Sequence, residues 1–339
     1  MRNLASWIWI SIAALAAPDA AAQGCGAVLT SSVILSADVV CGPGQDGLTV
    51  AANYVAIDLN GFSVLGPWPA AGGSPNAVGI RASGVDAVTI RGPGRVEGFF
   101  TPIEIDGGVA HTIRGVNAVA HWGNPTTLRN VSLSLIEANK LTRFALIADA
   151  GFAAAENRIV RNRVGGLPSG GGIWLYGCGA TLNQVYANRV DGHGVAIGLF
   201  DGANNNWVQG NRIKDGNIRL IAASMNTIVN NWIDNHIYGG AGVDLEDAWT
   251  TNTCGATATT DNRVIANQIT GGDVGVYLTT YALVGGSTNH NLISDNTFSD
   301  LTYSGLFFGH GTFDNDARYN KYVNVAVIAY DSGTGNLWP

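Results

Sequence analysis

Asn157-Arg-Ile-Val-Arg-Asn162 and Asn183-Gln-Val-Tyr-Ala-Asn188 decide how this chain folds, because the same spacing returns four more times. The later copies are Asn206-Trp-Val-Gln-Gly-Asn211, Asn226-Thr-Ile-Val-Asn-Asn231, Asn262-Arg-Val-Ile-Ala-Asn267 and Asn291-Leu-Ile-Ser-Asp-Asn296. Their second Asn recurs at intervals of 26, 23, 20, 36 and 29 residues. That period belongs to solenoids, in which a short unit cannot bury its own apolar face and must stack on its neighbours. Apolar residues alternate on both flanks of each Asn, as at Ile159 and Val164 or Val185 and Val190, so both flanks read as short strands. An Asn at the corner between them tolerates unusual backbone angles and can bond the Asn of the next coil, giving an Asn ladder along the stack.

A third strand follows each pair after a Gly-rich turn. Its copies are Gly172-Ile-Trp-Leu-Tyr176, Ile197-Gly-Leu-Phe200, Ile218-Arg-Leu-Ile221, Gly242-Val-Asp-Leu-Glu246, Gly275-Val-Tyr-Leu-Thr279 and Gly305-Leu-Phe-Phe-Gly309. Three strands per coil define an all-β, triangular parallel β-helix. The 46 Gly, 46% hydrophobic and only 13% charged residues suit many tight turns around one continuous core. A solenoid grows in one dimension, so residues 23–339 are expected to form a single domain despite their number.

Residues 1–22 read as a signal peptide. Met1-Arg2-Asn3 is a positive start, Trp7 to Ala17 an apolar stretch and Ala20-Ala21-Ala22 a small-residue cleavage site, which predicts a secreted or periplasmic protein. A retained membrane anchor would need about 20 apolar residues, and no other segment could span. Four cysteines remain, an even number in an exported chain. Cys25 and Cys41 bracket a short strand segment and are expected to close an N-terminal cap over about 24–60. Cys178 and Cys254 follow third-type strands three coils apart, roughly 14 Å at about 4.8 Å per coil, so their pairing requires the segment from Asp247 to Asp261 to fold back. Zinc is the alternative, but no cysteine pair has close ligand spacing.

The net charge of −7, with no basic cluster, argues against nucleic acid as partner. A polar surface rich in Asn, Gly and Thr suits carbohydrate. In the third-type strands Ile173, Leu175, Val243 and Leu245 point inward. Their outward neighbours are Trp174 with Tyr176, then Phe200, Arg219, Asp244 with Glu246, Tyr277 with Thr279, and Phe307. Aromatic faces with polar groups beside them bind sugars, although each ring could instead be covered by neighbouring loops. Asp244, Glu246 and Asp247 place three carboxylates within four positions, and such proximity raises proton affinity unless Arg219 or a cation compensates. The longest insertions flank the same strand: Asp234 to Gly242, carrying His236 and Tyr238, and Asp247 to Asp261. Solenoids place extra length where they bind. His310 on a neighbouring rim is a further acid or base, although a lone His is more often a surface or packing residue.

Together with Cys25-Gly-Ala-Val-Leu-Thr30 and Asp58-Leu-Asn-Gly-Phe-Ser63, the Asn-cornered repeats resemble the right-handed parallel β-helix proteins of the pectin-lyase-like superfamily, in particular their exported bacterial members. The resemblance covers nearly all of the chain from Gly24. It implies polysaccharide as partner, bound in a groove on the third-strand face, and a lyase or epimerase acting on a uronate-containing polymer. By that likeness Asp244, Glu246 and Asp247 would hold Ca2+ against the uronate carboxylate. Arg219, Lys214 or His236 would take the C5 proton, Arg being a poor base because it stays protonated. Trp174, Tyr176, Phe200, Tyr277, Phe307 and His310 would line the groove. A polygalacturonase-type hydrolase needs an acid and a base roughly 6.5–9.5 Å apart. Two positions along one strand span roughly 6.6 Å, so Asp244 and Glu246 could meet that need. However, Gly192-His-Gly194 and Gly309-His-Gly311 lack that family's preceding paired-Asp motif. A non-catalytic binding or structural rod is the other class, and in either case the chain is expected to be a monomer.

Overall fold

The computed structural model describes residues 20–21, 23–67, 76–121, 123–166, 171–237, 239–248, 255–283 and 285–339. Every regular element among them is a β-strand and every pairing is parallel. Among the described residues no helix is long and apolar enough to cross a membrane. Residues 1–19 and 22 of the expected signal peptide lie outside the described residues, whereas Ala20–Ala21 pair with Ile34 and Leu35.

Three ladders of strands stack coil on coil. The first runs from Val33–Leu35 through Arg158–Val160, Gln184–Tyr186 and Trp207–Gln209 to Asp316–Arg318. The second includes Arg163–Gly165 and Trp232–Asp234, and the third Ile173–Tyr176, Ala241–Glu246 and Val274–Thr279. The expected glycine turn between second and third strands is missing in several coils. Arg189–Phe200, Arg212–Ile221, Thr297–Phe308 and Lys321–Asp331 run through both ladders without a break. Register shifts between Asp191 and Gly194 and between Val195 and Ile197 bend the strand there instead, as bulges do.

One inward residue per strand stacks on its counterpart in the next coil. Ile159, Val185, Val208, Ile228, Val264 and Ile293 form one such column, and Leu175, Leu199, Leu220, Leu245 and Leu278 another, all with no exposed surface. β-branched and Leu side chains at fixed register fill the narrow prism.

Two Asn ladders run along the stack, one at the corner between first and second strands and the other just before the first strand. One joins Asn139, Asn162, Asn188, Asn211, Asn231, Asn267, Asn296 and Asn320, each donating its amide N–H to the next Oδ1 at 3.0 Å. The other runs from Asn157 to Asn336 in the same manner. The left-handed backbone, however, falls on the residue before each ladder Asn and not on the Asn itself: Arg161, Ala187, Asn230, Ala266 and Asp295 all have φ between 53° and 58°. The division is physical. The exposed residue makes the bend, while the next side chain points inward and its amide replaces the strand bonds lost at the corner.

Cys25 and Cys41 are bonded, with Cα atoms 5.2 Å apart, and tie the strand Ala27–Leu29 to the first coil. Among the described residues no helix accompanies them. Closing a loop of 16 residues limits the unfolded chain, so replacing both cysteines by Ser is expected to cost about 3 kcal/mol in urea unfolding. Cys178 is also disulfide-bonded. Cys254, and with it the expected pairing, lies outside the described residues.

Candidate functional site

The third ladder presents two outward columns, because alternate side chains of each strand leave the core. In the first, Trp174, Gly198, Arg219, Asp244, Tyr277, Phe307 and Tyr330 follow one another coil by coil. In the second, Tyr176, Phe200, Ile221, Glu246 and Thr279 do the same. The charged residues thus occupy the middle coils, between two aromatic groups.

On the N-terminal side Tyr176 and Phe200 lie with centroids 4.9 Å apart, and the Trp174 indole N–H donates to the Val195 carbonyl at 3.1 Å. Gly198 is required here: a Cβ would meet the Phe200 ring at 2.2 Å and the Trp174 ring at 3.1 Å. On the C-terminal side Tyr277, Phe307 and Tyr330 stack at 4.8 and 4.9 Å, with Tyr303 tilted against the last two. All the rings proposed from sequence are half-buried, so they neither vanish under loops nor stand free.

Arg219 reaches across the columns. One of its terminal nitrogens donates to both Glu246 oxygens, at 2.8 and 2.7 Å, and Glu246 is only 3% exposed. Burial opposes the Arg219 charge, but the Glu246 bonds and charge, with Asp244, more than offset it and its pKa is raised. Asp244, in register beside Arg219, accepts a hydrogen bond from the Asn217 amide at 2.6 Å. Burial and then the Glu246 charge push its pKa up to about 7, against the opposing pull of Arg219 and Asn217. Tyr281 feels Glu246, Tyr277, Arg219 and Asp244, and burial followed by those carboxylates raises its pKa, which keeps the phenol protonated.

Asp247 does not join these groups. It follows the last strand residue, is fully buried, and accepts the backbone N–H groups of Tyr281 and Ala282 at 2.7 and 2.8 Å. Its role is to pin the neighbouring coil's loop, and so to bring Tyr281 to the acid pair. The calcium set of Asp244, Glu246 and Asp247 is therefore corrected. One carboxylate is spent on Arg219, another on two amides, and among the described residues no group of three His, Cys, Asp or Glu could hold an ion. The donors do not fit calcium.

Lys214 lies on the second ladder beside Asp215, 3.9 Å away, and His236 in the turn beyond it bonds Asp234 at 2.7 Å. Neither acts on Asp244, so the base sought there is displaced from the carboxylates by one side of the prism. His310 is exposed in the turn after Thr297–Phe308. Tyr238 is outside the described residues. Asn217, Tyr281 and Tyr330 escaped sequence reading. Only Tyr330 had a usable signal, its place two residues after Ile328 in the last third-type strand.

Residues 73–213 match a family model described as the right handed beta helix region. The chain folds as a right-handed parallel β-helix. Solved structures agree at the level of fold. The Azotobacter vinelandii mannuronan C-5 epimerase AlgE6 A-module is 14% identical, with a TM-score of 0.50 over 89% of this chain and 91% of that one. A PL6 alginate lyase in complex with a trisaccharide is 11% identical, with a TM-score of 0.52 over 94% and 83%. The family 28 exopolygalacturonase of Yersinia enterocolitica is 10% identical, with a TM-score of 0.53 over 93% and 71%. No curated protein sequence matches the chain significantly.

Proposed function

We propose that this chain is an exported β-helix that cleaves or epimerises a uronate-containing polysaccharide on its third-ladder face. The observation that carries this reading is the position of Asp244: a carboxyl poised near pH 7, one coil from Arg219 and flanked along the groove by aromatic rings. A base that abstracts a proton α to a carboxylate works best with a pKa near the operating pH.

In this mechanism the Asp244 carboxylate takes the C5 proton and the C–H electron pair enters the conjugated carboxylate. Arg219, held charged by Glu246, faces the negative charge that develops. In elimination the C4–O bond then breaks, and the leaving oxygen receives a proton from the Tyr281 phenol. In epimerisation no bond to oxygen breaks, and the Tyr281 phenol instead gives its proton to C5 on the face opposite Asp244. The epimerase and lyase among the similar folds fit both outcomes.

A second reading, a sugar-binding rod without turnover, draws on the same loops: Glu246 and Asp247 are buried and fully engaged. Incubation of the full chain with pectate, alginate and glycosaminoglycan separates the readings. Ultraviolet absorbance reports the unsaturated uronate of elimination, and proton NMR reports altered uronate ratios. No change in either, with polymer still bound, would leave the rod.

Under the catalytic reading Phe307 contributes binding common to substrate and transition state. Phe307→Ala is expected to raise KM about five- to tenfold with kcat unchanged, in initial-rate measurements across polymer concentration.

A further inference from the structure

The first ladder carries a second groove, on a different side of the prism from Asp244. It has a volume of about 440 Å³ and is lined by Arg158, Gln184, Tyr186, Trp207 and Gln209. Register explains the grouping: Arg158, Gln184 and Trp207 occupy one outward column in successive coils, and Tyr186 and Gln209 the adjacent one. Alternation in three short strands thus assembles a flat ring, two amides, a phenol and a guanidinium on one concave face.

Two features set these residues apart from an ordinary solvated strand face. Trp207 is 49% exposed, although a large ring gains more from burial. Arg91, Arg114 and Arg318 on the same ladder ion-pair with Asp58, Glu137 and Asp316, while Arg263, two coils beyond Trp207, forms no ion pair among the described residues. Arg158 instead lies over the Tyr186 ring, 5.6 Å from its centroid, and donates to the Tyr186 hydroxyl, forming no ion pair among the described residues. Its charge is held in place and left uncompensated.

The geometry points to a binding subsite for an acidic sugar: the pyranose face on Trp207, its hydroxyls on the Gln184 and Gln209 amides, and its carboxylate on Arg158. A guanidinium recognises such a planar anion by parallel N–H bonds, and the ring above it restricts its rotamers in advance. Because the groove lies away from Asp244, the subsite would retain polymer whether or not the third ladder turns it over.

The test is calorimetric titration of the full chain carrying Asp244→Asn, which slows turnover, with oligogalacturonate, oligomannuronate and a neutral xylo-oligosaccharide of equal length. An acidic oligomer is expected to bind, less tightly as salt rises. Arg158→Gln and Trp207→Ala should each weaken this site at least tenfold, while Trp207→Phe keeps most of the affinity. Stoichiometry separates the two faces. It falls from two to one if the third ladder also binds, and from one to none if it does not. If Trp207→Ala fails to fold, Arg158→Gln alone decides. The proposal is overturned if neither acidic oligomer binds, if Arg158→Gln leaves affinity and stoichiometry unchanged, or if the neutral oligomer binds as tightly.

Discussion

Asp244→Asn is expected to lower turnover by about 10²- to 10⁴-fold, the usual loss when a general base is removed, and at the same time to stabilise the fold above neutral pH. The two effects share one cause. The Asp244 carboxyl titrates at about 7 in the fold, against a value of 3.8 when unperturbed, because burial and the Glu246 charge disfavour its anion. The folded state therefore holds this proton more tightly than the unfolded chain. The resulting stability is fully present below 3.8 and is lost as the pH rises to about 7. A shift of this size corresponds to about 4 kcal/mol at most, and less as solvent reaches the half-buried side chain. Asn carries no charge to bury, and its amide oxygen can still accept from Asn217, 2.6 Å away in the parent. Urea unfolding should thus find the variant more stable than the parent at pH 8 and nearly equal at pH 4. A variant less stable at both values would make Asp244 a structural group. The parent's kcat/KM, for its part, should rise with pH through about 7 as the base ionises. A stabilising substitution that abolishes turnover is the pattern expected where a site holds a charge at the expense of the fold.

The architecture was legible because a coil has a fixed circumference, so the residues that must meet between coils recur in the sequence. Inward Val and Ile and the corner Asn obey that constraint, and their spacing gave the strands and ladders. The same corner is built differently towards the N-terminus, where no Asn repeat is visible. There the Ser134 N–H donates to Asn157 Oδ1, the His111 N–H to Ser134 Oγ, and the Val88 N–H to His111 Nδ1 at 2.9, 3.1 and 3.3 Å. Three residue types fill one acceptor role, and identity alone cannot show it. His111 is 1% exposed, and burial lowers its pKa, which suits the neutral acceptor this chain needs. The candidate site divides in the same way. Arg219, Asp244, Glu246, Tyr277 and Phe307 could be placed because strands alternate. Asp247 was misread because the strand ends at Glu246 and alternation ends with it. Tyr281 lies 34 residues beyond Asp247 in a loop without period, and only the folded chain brings the two together.

The Asn ladders carry the largest stability prediction. Asn211 is 1% exposed; its Nδ2 donates to the Val185 carbonyl at 2.9 Å and to Asn231 Oδ1 at 3.0 Å. Its Oδ1 accepts the backbone N–H and the side-chain N–H of Asn188 at 2.9 and 3.0 Å. Asn211→Ala would remove all four bonds at once. The Asn188 backbone N–H and the Val185 carbonyl would then be left without those partners in a dry corner, where an unsatisfied group costs about 1–3 kcal/mol. Both flanking strands, Trp207–Gln209 and Arg212–Ile221, depend on that corner, and the first lines the second groove while the second positions Arg219. A total loss of about 3–5 kcal/mol is expected in equilibrium unfolding. The same change at Asn336 provides the contrast. Asn336 closes the other ladder at the last coil, accepting from Asn315 at 3.1 and 2.9 Å, but solvent reaches it and water can take over those bonds. A loss of about 1 kcal/mol is expected there. Equal losses at the two positions would mean that the ladder contributes through local corner geometry alone. A loss several-fold larger at Asn211 would place the effect in the burial of the amide column, and would predict the next largest losses at Asn188 and Asn231.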